Sequence, residues 1–207
     1  ATDTQRLIEA GVKPRKYGSW YVAEHRIRAM RAYLQTIIAT SFGNPLIYLF
    51  AMGIGLATIV DDGAGADQLG VSYLAFIAPA LIATAAVQVA AEEFTYPLMM
   101  GFKWNPIFFA MNAAPISGNQ IVNGLVISVF ARMFPTVLIY FLVTVPFGAI
   151  LSWWGVLIVA AATLTGFAVG FAIMPYTASI TEDKGQMAMI QRFGILPMFL
   201  FSGTFFP

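Results

Sequence analysis

The stretch YPLMMGFKWNPIFFAMNAAPIS, residues 96–117, is too oily for an ordinary loop and too interrupted to cross a membrane. Lys103 sits near its middle, and Pro97, Pro106 and Pro115 divide it. Proline removes a backbone donor and crowds the preceding turn, so a single unbroken helix is not expected here. Between the prolines, Leu98, Phe102, Ile107, Phe108 and Met111 form an apolar surface carrying one base. A short amphipathic crossing fits this pattern. What it serves depends on the flanking chain.

On both sides the chain is suited to lipid. Of 207 residues, 59% are hydrophobic and only 10% are charged, against about 25% charged in a typical soluble domain. No charge interrupts Ala32–Val60, Gln68–Ala91 or Met133–Thr181. A helix needs ~20 apolar residues to cross the hydrocarbon layer, so the first two runs suit one crossing each and the third suits two. The expected fold class is therefore an all-α membrane protein. Five spans are expected, near residues 36–60, 71–94, 117–146, 153–175 and 187–206. The abrupt end after an apolar run leads us to expect a sixth span beyond Pro207 in a longer protein.

Residues 1–17 form a polar tail ending in Lys13, Arg15 and Lys16, ahead of a domain expected over 18–207. In GSWYVAEHRIRAMRAYLQ, residues 18–35, Trp20, Ile27, Met30 and Leu34 recur at helical spacing with Ala23 in the same stripe. Arg28 and Arg31 lie toward another face, and Glu24 precedes Arg28 by four residues. One oily face and one basic face suit a helix lying at the membrane surface among lipid headgroups. A plain helical extension of the first span, with a solvated charged face, fits the same pattern. No short apolar leader precedes it, so the first span is expected to act as its own insertion signal.

Cytoplasmic loops of membrane proteins carry an excess of Lys and Arg. The turns at 61–70 and 147–152 hold no base, whereas the N-terminal region, the 95–117 segment and the TEDKG loop do. The N-terminus, residues 95–117 and residues 178–186 are accordingly expected in the cytoplasm.

Several chemistries are excluded. There is no cysteine and a single histidine, His25, so thiolate and histidine-built metal centres are ruled out. No GxxxxGK[ST] phosphate cradle occurs, so any ATP hydrolysis and its Mg2+ belong to another chain. The bases surround membrane helices, which argues against nucleic acid. Without a repeated pattern of mid-membrane ionisable sites, a secondary transporter or channel is the weaker alternative. A non-transporting scaffold subunit stands level with that alternative, and a membrane-embedded enzyme is weaker still.

Other residues admit two readings each. Glu92 and Glu93 end the second span and either pair with Arg31, Lys103 or Arg132 or transmit movement. Arg132 and Arg192 either position helices or meet an anionic headgroup. Gly166 and Gly170 form a GxxxG spacing, for packing within one subunit or between two.

GVSYLAFIAPALIATAA (70–86), EEFTYPLMMGFKW (92–104), the PIS of 115–117 and LPMFLFSGTFFP (196–207) together resemble the permeases of ABC-2 type exporters. The branch they are most similar to includes the nodulation lipo-oligosaccharide exporters, and the likeness runs from about Trp20 to Pro207. The resemblance implies an ABC-2 type transmembrane domain in a bacterial inner membrane. It further implies a second permease protomer, identical or paralogous, and a cytoplasmic ABC ATPase that binds ATP and Mg2+. Residues 96–113 would be the coupling helix, with Phe102, Lys103, Trp104, Ile107 and Phe108 docking on that ATPase; the bland alternative is a cap on the bundle. Glu92, Glu93 and Arg132 would form a charge network near the cytoplasmic face, and Trp20, Arg28 and Arg31 would belong to the interfacial helix. Phe201, Ser202, Gly203, Phe205, Phe206 and Pro207 would form an external-gate motif. The implied cargo is amphipathic: a lipid-linked glycan, a glycolipid or a hydrophobic drug.

Overall fold

The computed structural model describes residues 2–48, 50, 51, 55, 72–150 and 152–201, the side chains of 42, 44 and 45 excepted. The turn at 61–70, most of the second half of the first expected span and the gate residues Ser202, Gly203, Phe205, Phe206 and Pro207 lie outside the described residues. All regular structure among the described residues is helical.

Helix α1 spans Asp3–Met30 and a single 3-10 turn, Arg31–Tyr33, leads into α2, Leu34–Tyr48. The segment expected as a polar tail is thus helical from its third residue, with Thr2 and Gln5 forming a capping box at its start. The junction at 17 still leaves a mark. Tyr17 departs from helical geometry (φ −115°, ψ 18°), three residues after Pro14.

Helix α3, Tyr73–Phe94, starts where the Ser72 hydroxyl accepts from the Ala75 N–H and stops two residues before Tyr96 and Pro97. Pro97 has no N–H to offer the Glu93 carbonyl, and proline disfavours helical geometry in the residue before it. The chain bends at Thr95 (φ −101°, ψ −101°) and re-forms as α4, Tyr96–Met99, with a π turn over Met100–Trp104. After the break at Asn105–Pro106 comes α5, Ile107–Ala113. Ser117 then caps α6, Gly118–Thr144, reciprocally with Gln120. A 3-10 turn at Trp153–Val156 precedes α7, Leu157–Ser179. The final run is α8, Gln186–Met189, a π stretch to Ile195, and α9, Leu196–Phe201.

Among the described residues, three helical stretches are long and apolar enough to cross a membrane: Tyr73–Trp104, Gly118–Phe147 and Trp153–Ser179. The described helices over the first and fifth expected spans are shorter.

The main core lies where α3 meets α6 and α7. Ile77, Ile82 and Phe94 of α3 pack with Met133 and Val137 of α6 and with Ala162 and Ile173 of α7. Gly166 and Gly170 explain how close α7 comes. A Cβ on Gly166 would lie 2.7 Å from the Met133 sulfur and 2.9 Å from the Ala86 carbonyl, and one on Gly170 would lie 2.7 Å from the Phe94 ring. The GxxxG spacing therefore serves packing inside this chain.

A second close approach seats α1 on α6. A Cβ on Gly124 would come within 2.6 Å of the Ser19 carbonyl oxygen and of Val22, and one on Gly18 within 2.7 Å of the Gln120 amide. Gln120 also donates to the Arg15 carbonyl at 2.7 Å, tying α1 to the start of α6. The face of α1 buried by this contact is Gly18, Val22, Ala23 and Met30. Of the expected oily stripe, Ala23 and Met30 point inward, while Trp20 (58% exposed) and Leu34 point away.

A charge cluster and a seated segment form the candidate functional site

Glu92 and Glu93 occupy the last turn of α3, where unpaired carbonyls already give the helix end a partial negative charge. Two carboxylates there need cations. Arg132, halfway along α6, supplies one and reaches both acids: Nη1 donates to Glu93 at 2.5 Å and Nη2 to Glu92 at 2.8 Å. Arg26 of α1 supplies the other, its Nη2 lying 2.7 Å from the second oxygen of Glu93. The Glu93 side chain is 1% exposed, so each of its oxygens meets a guanidinium in a dry setting. Among these four groups the formal charges cancel. A buried carboxylate is tolerable only in such company.

Arg26 escaped the sequence reading, which offered Arg31, Lys103 or Arg132 as partners for the acids. Arg31 and Lys103 make no ion pair among the described residues. The available signal was spacing: Arg26 follows Gly18 and Val22 at intervals of four, on the face that α6 covers. Arg28 instead pairs with Glu24 on the exposed side of α1, as its i,i+4 spacing allows. Tyr33, on the turn after α1, has its phenol ionisation raised, chiefly by partial burial and then by the Glu93 carboxylate. The cluster thus joins α1, α3 and α6 and lies close to the turn into α2.

The segment 96–113 folds back against the same end of the bundle. Phe108 is 3% exposed and shares a small core with Val22, Leu98, Ile121 and Leu125. Gly101 is buried because the Phe108 ring fills the space a Cβ would need. Phe102 packs edge-on to Phe108, centroids 4.9 Å apart, and is half-buried with Ile107. Lys103, Trp104 (58%) and Phe109 (63%) face outward. The five residues expected to dock on a partner therefore divide. Phe108 holds the segment to its own bundle, Phe102 and Ile107 border that seat, and Lys103 and Trp104 are available to another molecule. Phe109 joins them, although the sequence reading had not singled it out. Trp104 stacks on Tyr96, which is also exposed, so the outward face is aromatic and preset.

Elsewhere, Arg192 is exposed on the π stretch and Phe201 is 86% exposed at the end of α9.

Over the described residues, the fold and this cluster define an all-helical membrane protein with three membrane-capable helices and an ion-paired junction at one end of its bundle. Over 96 residues it is 33% identical to nodulation protein J of Rhizobium leguminosarum bv. viciae, a match covering 45% of this chain and 35% of that protein. The chain thus spans about a third of the length of the curated relative it matches. No family model matches it, and no solved structure matches it.

Proposed function

We propose that this chain is the membrane-spanning permease subunit of an ATP-driven exporter of ABC-2 type, moving an amphipathic molecule outward from the cytoplasm or inner leaflet. The observation that carries the reading is the segment between α3 and α6. It is seated on its own bundle by Phe108, yet turns Lys103, Trp104 and Phe109 outward. A cap that only sealed the bundle would have little reason to expose two large aromatics beside a base. The identity to nodulation protein J and the resemblance of 70–86, 92–104 and 196–207 to exporter permeases support the same reading.

On this reading the outward face docks in a cleft of a cytoplasmic ATPase that holds ATP and Mg2+, and a second permease protomer completes the path. Movement of the ATPase reaches α3 through the bend at Thr95, immediately beyond the Glu93 clamp. Arg26 and Arg132 then carry it to α1 and α6 together. The exposed apolar edge formed by Trp20 of α1 and Leu34 at the start of α2 rests at the cytoplasmic membrane surface. Cargo and nucleotide bias the inward- and outward-facing arrangements only as far as they bind one more tightly than the other.

Trp104→Ala with Phe109→Ala tests the docking. Truncating a central interface aromatic costs ~2 kcal/mol or more, roughly a thirtyfold loss of affinity. The double variant should insert and fold normally, yet lose co-purification with its cytoplasmic ATPase and lose export. Unchanged ATPase retention and unchanged export would leave 96–113 as a cap and remove the basis of the proposal.

A further inference from the structure

Above the Glu92–Arg132 pair, α2, α3, α6 and the final helical run enclose a cavity of about 420 Å³, within the ~300–1,000 Å³ usual for small-molecule sites. It extends along α3 from Glu92 to Leu81, roughly 16 Å at the helical rise per residue. The lining is far more polar than a bundle of membrane-capable helices requires, and polar groups inside such bundles often line ligand or ion paths.

Several of those polar groups have their hydrogens already committed. Thr40 donates its hydroxyl hydrogen to the Thr36 and Ile37 carbonyls, Thr84 to the Ala80 carbonyl at 2.8 Å, and Thr136 to the Arg132 carbonyl at 3.0 Å. With the Thr136 hydrogen so used, the bond of 3.1 Å between Ser41 and Thr136 runs from Ser41. These four hydroxyls have therefore given their hydrogens to protein and offer a guest their lone pairs, whereas Tyr33, Thr36, Tyr48 and Tyr140, which also line the cavity, can give or accept. At the deep end, Glu92 has one oxygen held by Arg132 and the other without a partner among the described residues. Its side chain is 46% exposed against 14% for Arg132, so the carboxylate dominates that end. Gln88 and Gln191 also line the cavity with amides that have no partner among the described residues, and each can give or accept. Toward the other end the wall is formed by Leu81, Ile195 and Phe199, with the Tyr48 ring edge-on to Phe199.

We propose that this cavity binds one amphipathic molecule with its head at Glu92 and Gln88 and its tail past Leu81. The head carries hydrogen-bond donors, as hydroxyls or an amine, for the open oxygen of Glu92, and that carboxylate repels an anionic head. The site lies within a single chain. It stands on the lining chemistry alone and holds whether or not the chain exports anything.

The test uses three probes sharing a twelve-carbon tail with a diazirine near the head: a glucoside, a primary ammonium and a sulfate. The full chain in lipid nanodiscs is irradiated with each, and labelled residues are mapped by mass spectrometry. Donor-headed probes should label 81–92 and 132–140 about tenfold more than the sulfate. Gln88→Leu should cut that labelling severalfold. Thr84→Val, nearly isosteric, should do the same and serves if Gln88→Leu fails to fold. Glu92→Gln should weaken the ammonium probe selectively and spare the glucoside. Labelling by the glucoside alone supports a site for hydroxyl heads, and labelling by the ammonium alone a site for amines. Equal labelling by all three heads overturns the proposal. So does labelling that Thr84→Val leaves unchanged, or labelling confined to outward residues such as Leu164 and Phe171.

Discussion

Replacing Glu93 by glutamine keeps the side chain's shape and removes one charge from the junction of α1, α3 and α6. Two guanidiniums, 13% and 14% exposed, would then share the single, half-exposed carboxylate of Glu92. An unscreened pair of unit charges 4 Å apart at an effective dielectric of 20 is worth ~4 kcal/mol. Breaking a buried ion pair from one side costs about 3–5 kcal/mol in proteins generally. Hydrogen bonding adds to the penalty. Both Glu93 oxygens accept from arginine, at 2.7 and 2.5 Å, and the glutamine NH2 would put a donor against a donor. A loss of 3–5 kcal/mol corresponds to a fall of roughly 6–20 °C in unfolding midpoint for a chain of this size. Arg26→Gln should cost less, about 1–3 kcal/mol, since Glu93 retains Arg132. The two changes together should cost less than their sum, with a coupling above ~1 kcal/mol. Midpoints in one detergent give the cycle, and trypsin cleavage within residues 1–31 reports release of α1. If Glu93→Gln shifts the midpoint by under 2 °C and shows no coupling to Arg26, the clamp does not hold α1 to the bundle.

The close approach of α1 to α6 makes Gly124→Ala destabilising by about 1–3 kcal/mol, because the new methyl meets the Ser19 carbonyl and Val22, whereas Gly118→Ala, in open space, should leave the midpoint within a degree or two; equal midpoints for the two variants would contradict the packing. Because the chain has no cysteine, single cysteines at Lys103 and at Ser152 can be labelled cleanly. An impermeant thiol reagent should reach the first only from the cytoplasmic side and the second only from outside. Labelling of both from one side would overturn the topology, and the opposite pair of sides would reverse the proposed orientation.

Local composition was enough to establish the membrane class and where α3, α6 and α7 run. The reason is that a crossing depends on the summed apolar character of about twenty consecutive residues, which is written in sequence order. The breaks at Pro97 and Pro106 were legible for the same reason, since each acts on backbone groups a few positions away. What only the tertiary structure decided depends on which helices touch. Phe108 and Phe109 are adjacent and chemically identical, yet one is 3% and the other 63% exposed, because the first fills the space beside Gly101 and the second has no such seat. The oily stripe read over residues 18–35 pointed to Trp20 and Leu34, but the glycines at 18 and 124 bring α6 against the face of α1 bearing Val22 instead. That choice of face turns Arg26 toward an acid 67 residues away. No local pattern contains that pairing; it follows from the missing side chains that let two helices come close enough to bury it.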